Sequence, residues 1–481
     1  MDVRSTRSHT TGEPDMTRIE SDPSRELTAE KRPLSRSERL KAALLSSWFF
    51  ASIAALWLLK PVRTASLLAH LGAAELPYLR FGSVAAVGVV VLAYSRVINR
   101  FSRRDVVRGS SALFALVLLA FWLALRLGGE VLGAQRWFVW AVFILVDIYS
   151  TVMITIFWTY TNDVVTRSEA DRLYGPIGLG GVLGGIAGGA VVDALVTRIG
   201  AVDILLVCIA LVLVGGCLGW VTEAVLKPPP RTIATSSETS GQRGAGALDG
   251  AREVFGSRYL LCIVAIVVAY EFAAAVTDFV INVVFERAFA SEVTIAQMYG
   301  RLGWIVSGTA LIAQIFIVPR LLPFKRVALL VSPAIMISAT LAFAVFPAVA
   351  MAIVLAASDR GLNYSLQQVV KESLYVPLSD AQKYKAKAFI DVVVDRGGKA
   401  LSSVALLVVI ALQGVSIAPC LVLALGALLL WAFAANALGR AYTAFATSAQ
   451  RPHDATLEVA SDTAVPAQSP PAFQPGASPR A

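Results

Sequence analysis

Charged side chains set inside long apolar stretches are the residues of this chain that can do chemistry. Lys60 and Arg63 flank Pro61 just after Trp57, in sequence that stays largely apolar to Leu68. Two cations at a proline kink, where backbone groups are freed, suit the capture of an anion. Near a helix end the same side chains could instead snorkel to the membrane interface. Asp147 lies in an apolar run that ends at Trp158. Glu271, Asp278 and Asn282 stand at i, i+7 and i+11 and so share one helix face. Asp147 and Asp278 are expected to pair with Lys60 or Arg63, as fixed bridges or as bridges that open during a working cycle. Arg360, Tyr364, Gln367 and Lys371 form a polar stripe that must face away from lipid. Lys387, Asp391, Asp395 and Lys399 recur every fourth residue. They read either as a solvated helix with i,i+4 pairs or as charges at the mouth of a cavity. A charge at membrane depth costs a few kcal/mol, so such groups normally line a cavity and have a role. What these sets offer is reversible electrostatic binding of an anionic small molecule.

The elements that must position them follow from composition. The 481 residues are 56% hydrophobic and 16% charged, with a mean hydropathy of +0.67. Soluble domains run near 45–50% apolar and about 25% charged. The apolar residues fall in blocks long enough to cross a bilayer, which takes about 20 residues per helix. The expected fold is an all-α polytopic membrane protein of about twelve transmembrane helices. The spans are placed at 43–68, 78–96, 109–127, 137–160, 174–197, 201–222, 259–285, 295–317, 327–346, 348–370, 389–413 and 418–438. The eleventh must draw in residues from 389, because Leu401–Leu412 alone is too short. The linker around Pro228-Pro229-Pro230 divides them six and six. The expected domains are a disordered cytoplasmic tail (1–41), an N-terminal six-helix bundle (42–222), a cytoplasmic linker (223–257), a C-terminal six-helix bundle (258–440) and a second disordered tail (441–481). A repeat supports two halves: Tyr78-Leu79-Arg80-Phe81-Gly82 opens the second span and Tyr299-Gly300-Arg301-Leu302-Gly303 the eighth.

Several function classes drop out. The net charge of +9 gathers in loops on the side of the termini, including Arg96, Arg100, Arg103, Arg104, Arg108, Lys325 and Arg326. The opposite loops carry Arg80, Arg126, Arg136, Arg198 and Arg287. That is positive-inside bias, not a nucleic-acid surface, and it puts both termini in the cytoplasm. Cys208, Cys217, Cys262 and Cys420 sit in apolar blocks without ligand spacing, so neither disulfide nor metal is expected. The glycines from Gly175 to Gly189 follow no strand and fit close helix packing, or an element that bends, better than a dinucleotide loop. Gly397-Gly398-Lys399 lacks the earlier glycine of a phosphate-binding loop, with Val393 in its place. His9, His70 and His453 lie in tails or a loop, and no nucleophile stands by a base. No enzyme activity and no cofactor are expected.

The motifs resemble a known family. Val370-Lys371-Glu372-Ser373-Leu374-Tyr375-Val376-Pro377-Leu378, followed by Lys385-Ala386-Lys387-Ala388-Phe389-Ile390-Asp391-Val392-Val393, is similar to the nucleotide transporters of plastids and obligate intracellular bacteria. Leu59-Lys60-Pro61-Val62-Arg63, Phe157-Trp158 and Ala170-Asp171-Arg172-Leu173-Tyr174-Gly175 look like further segments of that family. The resemblance implies a major-facilitator-like fold and ATP/ADP-type antiport by alternating access. The alternative is transport of another anionic metabolite, with proton coupling through Asp147, Glu271 or Asp278. By this resemblance Arg63, Asp147, Asp278 and Lys399 fall where the family keeps groups needed for transport. Thr64 departs from an acid in the family pattern, and Asp147 and Asp278 are shorter than its glutamates. The expected substrate-binding set is Lys60, Arg63, Asp147, Asp278, Arg360, Lys387 and Lys399. The expected setting is a monomer among lipids of a bacterial inner membrane, with a nucleotide or another anionic small molecule as its partner.

Overall fold

The computed structural model describes residues 34–226, 250–375, 378, 386–387 and 389–462. Residues 1–33, 227–249 and 463–481 of the expected tails and linker, and parts of the motif between 376 and 388, lie outside the described residues. In chain order the helices are α1 (Arg36–His70), α2 (Leu76–Arg100), α3 (Arg103–Gly133), α4 (Arg136–Val164), α5 (Arg167–Leu226), α6 (Arg258–Ala288) and α7 (Glu292–Ile312). There follow α8 (Lys325–Val345), α9 (Val349–Leu362), α10 (Asp395–Gln413) and α11 (Ile417–Asp462). Three π-helical turns interrupt the second half. Ala313–Ile317 extends α7, Asn363–Gln367 continues α9 into Gln368–Ser373, and Ile390–Val394 leads into α10.

Local chemistry sets the ends. Ser35 caps α1 in a capping box: its hydroxyl accepts from the Glu38 amide, and the Glu38 carboxylate accepts from the Ser35 amide at 2.7 Å. The hydroxyls of Ser102, Ser257 and Ser291 accept from the amides of Asp105, Leu260 and Thr294 and cap α3, α6 and α7. α5 is two helices joined at Gly200, where φ 83° and ψ 162° are open to glycine and break the run. That break falls at the expected boundary between the fifth and sixth spans.

Nine of the described helical stretches are long and apolar enough to cross a membrane, the pair joined at Gly200 counting as one. The stretches expected as the tenth and eleventh spans, which carry Asp359, Arg360, Lys371, Asp395 and Lys399, are not among the nine, so apolar length alone does not yield the expected twelve. Two expected boundaries are corrected. α1 begins at Arg36, inside the stretch assigned to the N-terminal tail. α11 continues to Asp462, so residues 441–462 are helical where an unstructured tail was expected.

α1 lies at the centre of the N-terminal half. Trp48 is 1% exposed and meets Phe157 and Tyr160 of α4 edge-on, each at 5.3 Å between ring centres. Phe49 stacks on Phe157 at 4.4 Å. The glycines of α5 let backbones touch: a Cβ at Gly184 would lie 2.5 Å from the Phe50 carbonyl oxygen of α1. A Cβ at Gly189 would lie 2.6 Å from the Trp304 amide nitrogen of α7, in the other half. The close-packing reading of these glycines therefore holds, with the stripe serving two partners.

We call the end of the bundle at Arg36 the entry side and the end at His70 the far side. On the entry side, the Lys41 ammonium donates to both Glu169 oxygens at 2.9 Å, and Arg172 pairs with Glu38 at 2.7 Å, all within the N-terminal half. Burial alone would raise the Glu169 carboxyl, but hydrogen bonds from Lys41 and Thr166 hold it below the usual carboxylate range. Bonds that join the two halves lie towards the far side. The Ala73 amide donates to Glu286 at 2.9 Å. Arg301 of α7 pairs with Asp193 of α5 at 3.2 Å, and the Trp304 indole N–H donates to the same carboxylate at 3.2 Å. Arg80 of α2 pairs with Asp278 of α6 at 2.7 Å.

Candidate functional site

A cavity of about 200 Å³ lies between the halves, beneath this far-side closure. Lys60, Arg63 and Thr64 of α1 face Asp278 and Asn282 of α6 across it, with Arg360 of α9. Trp57, Phe143, Tyr299 and Tyr364 add aromatic surface. Pro61, in the middle of α1, lacks an amide hydrogen and so leaves the Trp57 carbonyl, one turn earlier, without its helical donor.

Two ion-pair systems border the cavity. Arg63 donates to Asp147 of α4 and to the Phe143 carbonyl at 3.2 Å, and its guanidinium lies 4.1 Å from the Phe143 ring centre. The second Asp147 oxygen accepts from the Ser83 hydroxyl of α2. Asp147 thus ties three helices of one half together. The Nε of Arg63 is buried without a hydrogen-bond partner among the described residues, which leaves a donor uncommitted. In the second system, Asp278 accepts from Arg80 through one oxygen and from Arg360 through the other. The remaining Arg80 donor goes to the Ala275 carbonyl at 3.0 Å. Behind them the Tyr299 hydroxyl donates to Asn282 at 2.8 Å, and the Asn282 amide donates to the Asp278 carbonyl at 2.6 Å.

Lys60 makes no ion pair among the described residues; its ammonium sits 5.2 Å from the Trp57 ring centre. Around the cavity stand four bases, Lys60, Arg63, Arg80 and Arg360, and two acids, Asp147 and Asp278. The excess of cationic groups makes the site electrostatically suited to an anion.

The structure brings Lys60, Arg63, Asp278 and Arg360 to one cavity, with Asp147 against Arg63. Asp147 pairs with Arg63 as expected. Asp278 pairs with Arg80 and Arg360 and not with Lys60 or Arg63, its expected partners. Rotation of α6 in the bundle turns Asp278 towards α2 and α9, which sequence spacing cannot reveal. Lys399 lies elsewhere, in a second cavity of about 230 Å³ within the C-terminal half. It pairs there with Asp395 at 2.8 Å and Glu271 at 3.4 Å. Lys387 pairs with Glu372 at 2.5 Å and Lys371 with Asp391 at 3.1 Å. Arg80, counted above among far-side loop bases, is in α2 and is a principal member of the site. Its position in the Tyr-x-Arg-x-Gly repeat was the available signal.

A cationic cavity between two helical halves, flanked by breakable ion pairs, defines a transporter of the alternating-access type. Solved structures share the architecture. A bacterial homologue of the iron transporter ferroportin in an inward-facing state matches with a TM-score of 0.59 at 14% identity, covering 85% of this chain and 100% of that one. The POT family transporter PepTSo matches with a TM-score of 0.54 at 10% identity, covering 87% and 99%. At these identities the likeness concerns the fold, which is major-facilitator-like. In sequence, residues 120–442 match the model of the TLC ATP/ADP transporter family, and the chain belongs to that family. ADP,ATP carrier protein 2 of Chlamydia trachomatis serovar D is 25% identical over 447 residues, covering 78% of this chain and 82% of that protein. ADP,ATP carrier protein 1 of Chlamydia pneumoniae is 23% identical over 384 residues, covering 71% and 73%.

Proposed function

We propose that this protein exchanges nucleotides across a membrane by alternating access, with phosphates held by Arg63, Lys60 and Arg360. The observation that carries the reading is a cavity of a TLC-family chain lined by Lys60, Arg63, Arg360 and Asp278, with Asp147 and Arg80 paired to Arg63 and Asp278 at its border. Arginine offers paired donors to phosphate and lysine a point charge. The aromatic faces of Trp57 and Tyr364 suit stacking of a planar base. An entering phosphate competes with Asp147 for Arg63 and with Asp278 for Arg360. Release of Arg360 also loosens Asp278, the group that Arg80 reaches from the other half. Substrate binding and opening of the far side are thereby linked through one carboxylate. Exchange follows if a bound anion lowers the barrier to reopening more than the bare cavity does.

The entry side is then the cytoplasm, the membrane a bacterial inner membrane and the chain a monomer surrounded by lipid. Lys387, Lys371 and Arg172 on the entry side fit the positive-inside rule. The N-terminal bundle, the linker and the C-terminal bundle divide as 42–222, 223–257 and 258–440. The decisive experiment is reconstitution into vesicles preloaded with ADP and measurement of labelled ATP uptake. Uptake that depends on internal ADP supports exchange. No ADP-dependent uptake, with uptake of a different anion, would replace the nucleotide by another anionic metabolite.

A further inference from the structure

We propose that Asp359 is a proton-binding site of the C-terminal half, reached through the second cavity and separate from the substrate cavity. Asp359 sits midway along α9 and is 5% exposed. Its Oδ1 is buried with no hydrogen-bond partner among the described residues, and no ion pair involves it. The next residue, Arg360, lies about 100° further round the helix and gives its charge to Asp278 at the cavity. The two neighbours therefore face different sides of α9. Tyr270 reaches this carboxyl, but an oxygen left without a donor keeps the buried charge costly, and taking up a proton reduces that cost.

The surroundings supply a route and a consequence. Tyr270 of α6 faces Asp359 and also lines the second cavity beside Glu271, Asp395, Lys399 and Lys371. Other titratable groups that act on Asp359 are Asp278 on α6 and Arg360 on α9; Tyr364 on α9 and Tyr299 on α7 act on Arg360, whereas Lys325 and Arg326 stand at the entry-side start of α8. One turn after Asp359, α9 passes into the π-turn Asn363–Gln367, a place where a helix can change pitch. When Asp359 gives up its proton to water, a second negative charge appears beside Arg360. Arg360 then serves two carboxylates and holds Asp278 less firmly. Return of the proton restores the original bridge, so one O–H bond forms and breaks per cycle. Proton occupancy thereby sets the strength of the Asp278–Arg360 bridge on which the proposed exchange rests.

The test uses the full-length protein in lipid nanodiscs and does not need substrate. Infrared difference spectra between acid and alkaline pH should show a carboxylic-acid carbonyl band in the wild type. Asp359→Asn should lose that band, and Asp359→Glu should keep it at a shifted position. In vesicles, Asp359→Asn should retain ADP-dependent ATP exchange near the wild-type rate but lose any stimulation of uptake by an inward proton gradient. The proposal is overturned if the Asn variant keeps the band, or if wild type and variant respond alike to the gradient. Loss of the band together with no nucleotide exchange in the wild type would leave the proton site standing and remove the nucleotide reading.

Discussion

Arg80 and Arg301 occupy equivalent positions of the internal repeat, and each crosses from its own half to a carboxylate of the other. Arg80 reaches Asp278 of the C-terminal half at 2.7 Å. Arg301 reaches Asp193 of the N-terminal half at 3.2 Å. One repeated arginine thus fastens the far side twice, once over the cavity and once at the α5–α7 seam.

The outer of these fastenings is open to a direct trial. Arg301 is partly exposed, so its pair contributes up to about 1 kcal/mol, a factor of about five in an equilibrium constant. Arg301→Ala should raise the rate at which a Thr64→Cys thiol, lining the cavity, reacts with an impermeant reagent added from the far side. An unchanged rate would show that the pair does not hold the halves together.

Arg63 and Asp147 should behave as a unit. Arg63→Ala leaves Asp147 with Ser83 in largely apolar surroundings, a loss on the order of 3 kcal/mol. Arg63→Ala combined with Asp147→Ala should recover part of the melting temperature but not the affinity for ATP. If the double variant is less stable than the single one, the two residues do not depend on each other.

Asp278→Asn removes the acid shared by Arg80 and Arg360. Both guanidinium groups then become free for phosphate, so ATP should bind at least as tightly while exchange slows. Measurement of binding by calorimetry beside exchange in vesicles separates the two effects. Weaker binding with undiminished turnover would contradict this assignment.

Lys399→Ala tests the separation of the two cavities. The lysine neutralises Glu271 and Asp395 away from the central bases, so its removal should lower thermal stability and exchange rate with little change in ATP affinity. A large loss of affinity would instead put Lys399 at the phosphates.

Much of the helix plan was legible in the sequence, because apolar length and turn residues report it directly. The break at Gly200 falls between the spans placed at 174–197 and 201–222. Arg63 with Asp147 was readable as well, since an acid buried in an apolar run must find a base. The partners of Asp278 were not readable, because they depend on how α6 is rotated against α2 and α9. The place of Lys399 in a second cavity was not readable for a related reason: a helix that borders the space between the halves can direct a charged side chain into its own half. Arg80 lay only one turn inside α2, where a count of loop charges takes it for an interface residue. Nothing local distinguishes that case from snorkelling; only the partner does.

The three π-turns, all in the C-terminal half among the described residues, bear on how the two halves can be superposed. A π-turn accommodates one residue more than the α-helix around it, which amounts to a single-residue insertion absorbed without breaking the helix. Matching the halves at the Tyr-x-Arg-x-Gly segments therefore holds only up to Ile312. Beyond the turn at Ala313–Ile317 the correspondence should slip by one position, and again at each later turn. Ancestral equivalence between the halves will be recovered with gaps placed at these turns, and blurred by any comparison that keeps one constant offset.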